Sequence, residues 1–293
     1  MNSLQYKVNE LKKLCSIIGV KPKDVEQIVL NIDNYYKEWV EKKVDKKTGE
    51  FKRYSDGSIK ERTLRPSLNE LKTIQTSIKN KILGLIEFPD NVHGGIKRRS
   101  NISNAKSHQG KKYQFTTDLQ EFYPNITPLR VYDNFRKLGF SSHFSHWLTK
   151  LTTWKHELPQ GAPTSTIIAN IVFLGTDLEL ISLCKQHGIT YTRYVDDLTF
   201  SSQQDFKYLL NDILQIITNN KFKLNYRKTK YKGNQTITGI EVFLNKIDAP
   251  ETIREKAQKE LATSAIVKPY TNYLNNIRKT NKVNKDILKS TNG

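Results

Sequence analysis

Acidic residues, cysteine and long apolar runs are all in short supply in this chain. Its 293 residues hold 29 Asp and Glu against 48 Lys and Arg, a formal net charge of +19. A pI near 9.7 calls for a polyanionic partner, nucleic acid first and an anionic membrane surface second. The two cysteines, Cys15 and Cys184, have no neighbouring Cys or paired His at zinc spacing. A disulfide scaffold and a zinc module are therefore disfavoured, and a reducing cytoplasm is the expected location. No G-x-G-x-x-G or Walker A sequence occurs, so neither a dinucleotide fold nor a P-loop ATPase is supported. The N-terminal MNSLQYKVNELKKLC has no long apolar run, and a signal peptide is not expected. The longest apolar stretch, around Ile167 to Leu174, is interrupted by Asn170 and reads as too short to span a bilayer; no membrane partner is expected.

What is present is aromatic and unevenly charged. With 14 Tyr, 12 Phe and 3 Trp the chain can bury a core, which excludes wholesale disorder. Residues 1–111 carry 23 basic and 13 acidic residues, net +10; residues 112–218 carry 9 and 10, net −1; residues 219–293 carry 16 and 6, net +10. A lysine-rich proteome would raise the charge everywhere and does not explain the neutral centre.

Apolar spacing predicts helices over 3–18, 24–43 and 68–86, the last with Leu71, Ile74, Ile78, Ile82 and Leu85 on one face. Residues 45–58 read as a hairpin or loop, with Thr48-Gly49 and Asp56-Gly57 as turn signals. Residues 88–110 are irregular and basic, with a short helix at 101–108. Tyr113 to Leu119 alternates like a strand. Thr127-Pro128 starts a helix that runs to about Leu138, and helices follow at 142–152, 165–186 and 206–219. Tyr191 to Ser201 is strand–turn–strand. Short strands are expected over 222–247 and basic helices over 250–290. The fold class is α+β with a small antiparallel sheet.

The carboxylates carry the chemistry. Asp196 and Asp197 sit at the centre of YVDDLTF, and two charges so close repel unless a cation neutralises them. Alone, the pair also reads as a solvated hairpin turn. Asp118 ends the strand YQFTTD and faces the pair if that strand lies beside the hairpin. A carboxylate cluster suits hard divalent cations shared with substrate phosphates, as nucleotidyl transfer requires.

In this order the residues resemble a bacterial reverse transcriptase, most closely the retron type. TTDLQEFYPNIT resembles motif A, LPQGAPTST motif B, YVDD motif C and LNYRKTK motif D. Asn104-Ala105-Lys106-Ser107-His108 matches a retron N-A-x-x-H element, and Ile237-Thr238-Gly239 is close to V-T-G. The resemblance implies a right-hand polymerase fold. Residues 1–45 would be an N-terminal helical region, 46–111 fingers, 112–246 a palm of small antiparallel sheet backed by helices, and 247–293 a short basic helical thumb.

By resemblance, Asp118, the Leu119 carbonyl and Asp196 hold two Mg²⁺ ions, for which Mn²⁺ substitutes, with Asp197 the third acid. Tyr123 matches the steric gate that excludes a ribose 2′-OH, whereas Phe122 reads as core. Gln160 and Gly161 form a turn against the incoming nucleotide. Lys228 is either a proton donor to pyrophosphate or a solvated lysine beside Arg227 and Lys230. Arg62 resembles the finger arginine that grips the triphosphate, with Arg53 or Lys52 as partner. Lys97, Arg98 and Arg99 form an expected nucleic-acid contact. Asn104 and His108 join it, or His108 caps a local turn. His143, His146 and His156 lack a carboxylate at metal spacing and read as structural. Two departures stand out: Val195 replaces the usual Ala of motif C, and Thr166 replaces the usual Pro of motif B.

The function implied is RNA-directed DNA synthesis from dNTPs on a structured non-coding RNA, in a bacterial anti-phage defence system with a separate effector protein. The alternatives are a non-retron defence reverse transcriptase, template-dependent or template-independent, and a silent RNA-binding scaffold.

Overall fold

A computed structural model describes residues 3–45, 49–53, 56–233, 236–263 and 266–281. Thr48 and the part of the expected basic helices beyond residue 281 lie outside them. The chain divides into two compact units, residues 1–89 with 121–177 and residues 90–120 with 178–293.

The first unit is mainly helical. It begins with α1 (Ser3–Ile18), α2 (Pro22–Leu30), β1 (Trp39–Lys42), β2 (Glu61–Leu64) and α3 (Asn69–Lys81). The helix expected over 24–43 is corrected here. Asn31 closes α2 by donating its backbone N–H to the Gln27 carbonyl, and after a 3₁₀ turn over Ile32–Tyr35 the chain extends from Tyr36. Trp39–Lys42 pairs antiparallel with Glu61–Leu64, a partner some twenty residues away that helical spacing cannot register. Val44↔Phe51 and Arg53↔Ile59 continue the ribbon, so the expected hairpin over 45–58 is present in the residues described there. Leu71, Ile74, Ile78 and Ile82 are buried as expected, but Leu85 lies beyond α3 in a 3₁₀ turn and is exposed. The chain then leaves the unit through α4 (Asn101–Lys106) and β3 (Tyr113–Asp118).

It returns as α5 (Pro128–Lys137), α6 (Ser142–Thr152) and α7 (Ser165–Gln186), whose residues after Asp177 are counted with the second unit. Thr127 and Ser141 cap α5 and α6 by accepting from the backbone N–H of Arg130 and Phe144. Leu14, Val25, Ile74, Val131, Phe135 and Leu148 bury their side chains in this unit, each worth about 1.5–3 kcal/mol. The Gln75 amide, fully buried, donates to Tyr36 Oη and the Leu151 carbonyl and accepts from Ser67 Oγ. By length and composition α7 is sufficient to cross a membrane, which corrects the sequence reading of its apolar stretch as too short. The helix expected over 165–186 is present, with Asn170 and Asp177 buried along it, and most of its apolar window is enclosed in the protein as a core helix is.

The second unit holds two antiparallel sheets. Strands β4 (Thr190–Tyr194) and β5 (Asp197–Ser202), then β6 (Lys230–Lys232) beyond α8 (Leu210–Asn219), join β3 in the order β4-β5-β3-β6. Its register aligns Tyr191, Phe200, Phe115 and Tyr231 in one row across the sheet. Phe200 stacks on Tyr191 at 4.7 Å between ring centroids and lies 5.7 Å from Phe115. The strand period of two puts Asp118 and Asp197 on the opposite face. The smaller sheet is β7 (Thr236–Ile237), β8 (Ile240–Val242) and β9 (Ile247–Asp248). It shares one core with α9 (Glu251–Ala262), α10 (Pro269–Lys279) and Ala105 of α4.

Phe200→Ala should cost about 3–5 kcal/mol, read as a lowered urea midpoint. A loss below ~1 kcal/mol would show that the aromatic row does not hold the sheet.

Candidate active site

Residues Asp118 and Asp197 are direct cross-strand partners at the end of the β3–β5 ladder. Such partners place their Cβ atoms about 4.5–5.5 Å apart. Asp196 occupies the two-residue loop between the paired Tyr194 and Asp197, and its carbonyl accepts from Leu119 N at 2.9 Å. This backbone bond adds to the β3–β5 ladder in fastening motif A to motif C, and acids from two segments distant in sequence meet at one sheet end. Asp118 is buried and Asp197 half-buried.

The loop is strained. Val195 has φ +59, a left-handed conformation that a β-branched residue rarely adopts, at a cost of about 1–3 kcal/mol. Two features hold it. The buried Arg193 guanidinium donates Nη1 to the Val195 carbonyl at 2.8 Å. Residues 91–93 run parallel to β4, with Arg193 N on the Asn91 carbonyl and His93 N on the Arg193 carbonyl, each at 2.8 Å. This brings Gly94 under the loop, where a Cβ would lie 2.4 Å from Val195 N and 2.6 Å from Val195 Cγ2. Only glycine fits. Sequence reasoning left Gly94 and Arg193 unassigned; a lone glycine in an irregular segment carried no signal of what it touches.

Burial, then the charges of Asp196 and Asp118, raise the Asp197 pKa to about 7, and a hydrogen bond with Asp118 adds to the rise. Lys228 Nζ lies 2.7 Å from Asp118 Oδ2. Partial burial works to lower the Lys228 pKa, but its hydrogen bond to Asp118 and the carboxylate charges hold it above its ordinary value. Lys228 thus contacts the acids, which favours a role at the site over a merely solvated lysine. It sits on a 3₁₀ turn, Tyr226–Lys228, begun by Asn225. Asn225 donates N to the Asp118 carbonyl at 2.8 Å and Nδ2 to Asp118 Oδ1 at 3.3 Å, a contact the sequence reading missed.

Among the described residues no three His, Cys, Asp or Glu side chains are gathered tightly enough to enclose an ion. The donor set still fits a hard dication. Its donors are all oxygen, one acid is driven toward protonation by its neighbours, and an ammonium group already stands against Asp118.

The other expected nucleotide contacts lie in the first unit. The Tyr123 hydroxyl is 3.1 Å from Thr166 Oγ1, while Phe122 is buried edge-on to Phe173, as expected of a core residue. Gln160 and Gly161 form a turn, Gly161 with φ +106. The Gln160 carbonyl accepts from Arg65 N at 2.7 Å. The Arg65 side chain pairs with Glu38 and Glu157. Arg62, expected to grip a triphosphate, pairs with Glu41 across the β1–β2 ribbon. Its expected partner Arg53 donates to the Gly57 carbonyl at 2.8 Å instead. Arg65, three residues beyond Arg62, is the arginine that braces the motif B turn.

Two of the expected nucleic-acid contacts are internal. His108 is fully buried between Ser201 Oγ at 2.6 Å and Thr192 Oγ1 at 2.7 Å. Burial lowers its pKa to about 3, so it stays neutral and ties the end of α4 to β4 and β5. Asn104 is fully buried and donates to Thr238 Oγ1 at 3.4 Å. Neither offers a surface to RNA. The N-A-x-x-H and Ile-Thr-Gly elements instead pack on each other, Thr238 and Gly239 forming the positive-φ hairpin turn between β7 and β8. Arg99 is also engaged, donating to the Val92 carbonyl at 2.7 Å and to Asp90 at 2.9 Å. Lys97 and Arg98 are exposed.

Residues 44–242 match the reverse transcriptase (RNA-dependent DNA polymerase) family. The retron Se72 reverse transcriptase of Salmonella heidelberg is 34% identical over 199 residues, 68% of this chain and 49% of that protein. The retron Ec86 reverse transcriptase of Escherichia coli is 32% identical over 191 residues, 64% of this chain and 60% of its own length. The retron Mx162 reverse transcriptase of Myxococcus xanthus is 32% identical over 228 residues, 67% and 47%. The chain spans about half the length of these curated relatives. Among solved structures, telomerase from Candida albicans overlays 82% of this chain and 55% of its own at 11% identity and a TM-score of 0.47.

Gly94→Ala should force the Val195 loop to shift and cost about 1–3 kcal/mol; a neutral effect on denaturant unfolding would refute the steric requirement. Asp197 gives a pH test in chelator-treated protein. Its folded pKa is raised from 3.8 to about 7. The stability it contributes is therefore present below about pH 4 and lost as pH rises through 7. From pH 5 to 8 the melting temperature should fall more steeply for wild type than for Asp197→Asn. Parallel curves would contradict the raised pKa.

Proposed function

This chain belongs to the reverse transcriptase (RNA-dependent DNA polymerase) family, with retron reverse transcriptases as its curated relatives, and on that premise we propose that it synthesises DNA on a structured non-coding RNA template. The observation that carries this reading is the Asp118–Asp197 cross-strand pair with Asp196 in the adjoining loop.

Reverse transcriptases generally use divalent metal ions; here Asp118, Asp196 and the Leu119 carbonyl would hold two Mg²⁺ or Mn²⁺ ions, with Asp197 beside them. When bound, the ions supply activation of the primer 3′-hydroxyl and stabilisation of the leaving pyrophosphate. The chain's own groups do the rest. The Val195 loop fixes Asp196 and Asp197, and Asn225 orients Asp118. Lys228 carries a proton within reach of the acids and is suited to hand it to pyrophosphate. Tyr123 serves as steric gate against ribonucleotides, Gln160 and Gly161 receive the incoming nucleotide, and Lys97 and Arg98 contact nucleic-acid phosphates.

The biological setting proposed is retron-type synthesis in bacterial anti-phage defence with a separate effector. The retron relatives support it, as do the two free, buried cysteines, which fit a reducing cytoplasm.

Purified protein with Mg²⁺, dNTPs and an annealed RNA template–DNA primer should extend the primer. Chelation, or Asp196→Asn with Asp197→Asn, should reduce extension below detection while the far-UV circular dichroism is kept. Failure to extend on any template, including the RNA encoded beside the gene, would sink the proposal. Extension with template omitted would mark a terminal transferase instead.

A further inference from the structure

The proline usual in motif B is replaced here by Thr166, and the structure gives that replacement a partner. The Tyr123 hydroxyl and Thr166 Oγ1 lie 3.1 Å apart, a hydrogen bond in which either oxygen can donate. Both residues are half-buried, so water competes only in part. The Tyr123 ring leans on Phe122 at 5.8 Å between centroids and 55°. Phe122 is in turn locked edge-on to Phe173 at 5.9 Å.

Thr166 is the second residue of α7, and that helix start is itself fixed. Ser165 Oγ donates to the Pro159 carbonyl at 2.5 Å, and Ser165 N to the Ala162 carbonyl at 3.2 Å. Tyr123 is therefore fastened at its polar tip to a 22-residue helix and packed along its ring by a buried aromatic pair. Proline at 166 would suit a helix's first turn but has no hydroxyl, so the bond exists only because this chain departs from the usual motif.

We propose that Thr166 is a positioning residue for sugar selection: its hydroxyl holds the Tyr123 ring in the orientation that rejects a ribose 2′-OH. This rests on the reading of Tyr123 as the steric gate. An aromatic ring excludes by its position, and a ring free to tilt about its Cα–Cβ bond admits the larger sugar. Packing against Phe122 restrains one side of the ring; the Thr166 bond restrains its tip.

Single-nucleotide incorporation of a dNTP and its matching rNTP, as a ratio of kcat/KM, tests this. Thr166→Val keeps the branched shape and removes the hydroxyl. Tyr123→Phe keeps the ring and removes its partner. Each should raise the relative use of ribonucleotide about fivefold, the worth of one ordinary hydrogen bond. The double variant should rise no further than either single one, and Thr166→Ser should hold the wild-type ratio. An unchanged ratio in both Thr166→Val and Tyr123→Phe, with dNTP still incorporated, overturns the tether. Tyr123→Val separates this from the reading beneath it. If removing the ring altogether leaves selectivity untouched, the gate assignment fails; if wild type incorporates no dNTP, the polymerase reading fails.

Discussion

Three carboxylates forced together at the end of one sheet repel each other, and the second unit is arranged to bear that repulsion. Like charges on cross-strand partners oppose strand pairing by about 0.2–1 kcal/mol, and more when partly buried. The opposite face of the sheet supplies the compensation. Tyr191, Phe200 and Phe115 are all buried there, each contributing about 1.5–3 kcal/mol. A slip of one residue would carry that row to the other face. Packing on one side of the sheet therefore sets the register on the other, and Asp118 stays opposite Asp197 although electrostatics alone would part them.

The face that carries the acids is also largely buried, which makes its polar groups expensive unless paired. Thr192, Thr199 and Ser201 lie on it, and His108 satisfies the first and last of these at once. A histidine suits the position because its neutral ring offers one donor and one acceptor, and burial keeps it neutral. On the other face of β4, Arg193 pairs its buried guanidinium with the Val195 carbonyl. His108, which by sequence resembled an RNA contact, is the polar strut that lets the polar sheet face carrying the acids be interior.

Most helices were legible because their ends are written locally. Thr127-Pro128 is a start signal read directly from the sequence and used by the structure, in which Ser141 also caps α6. The three acids were legible because motif order constrains which strands must meet. What the sequence did not show depended on partners distant in it. Trp39–Lys42 had helical neighbours but a strand for a partner. Arg62 and Arg65 look alike in ERTLRP, and only the packed turn distinguishes the one facing Glu41 from the one bonded to Gln160. Buried His108 and exposed Lys97 both sit in a basic, irregular stretch, and composition cannot tell inside from outside there.

The identity of the cation on Asp118 follows from the same electrostatics. An arginine there would bind a carboxylate in two-point fashion and never lose its charge. Such a pair would neutralise the site for good and close it to a dication. Lys228 makes a single bond of 2.7 Å, from a short turn, with more than half of its side chain in contact with solvent. An ammonium group so placed offsets part of the repulsion among the acids and keeps solvent on its other side. In the proposed reaction its flexible four-carbon stem keeps the charge close by, where the leaving pyrophosphate would need a proton. The nearly neutral centre of a +19 chain thus holds acids packed together by an aromatic row, and a single lysine from the basic segment after it, Lys228, offsets them.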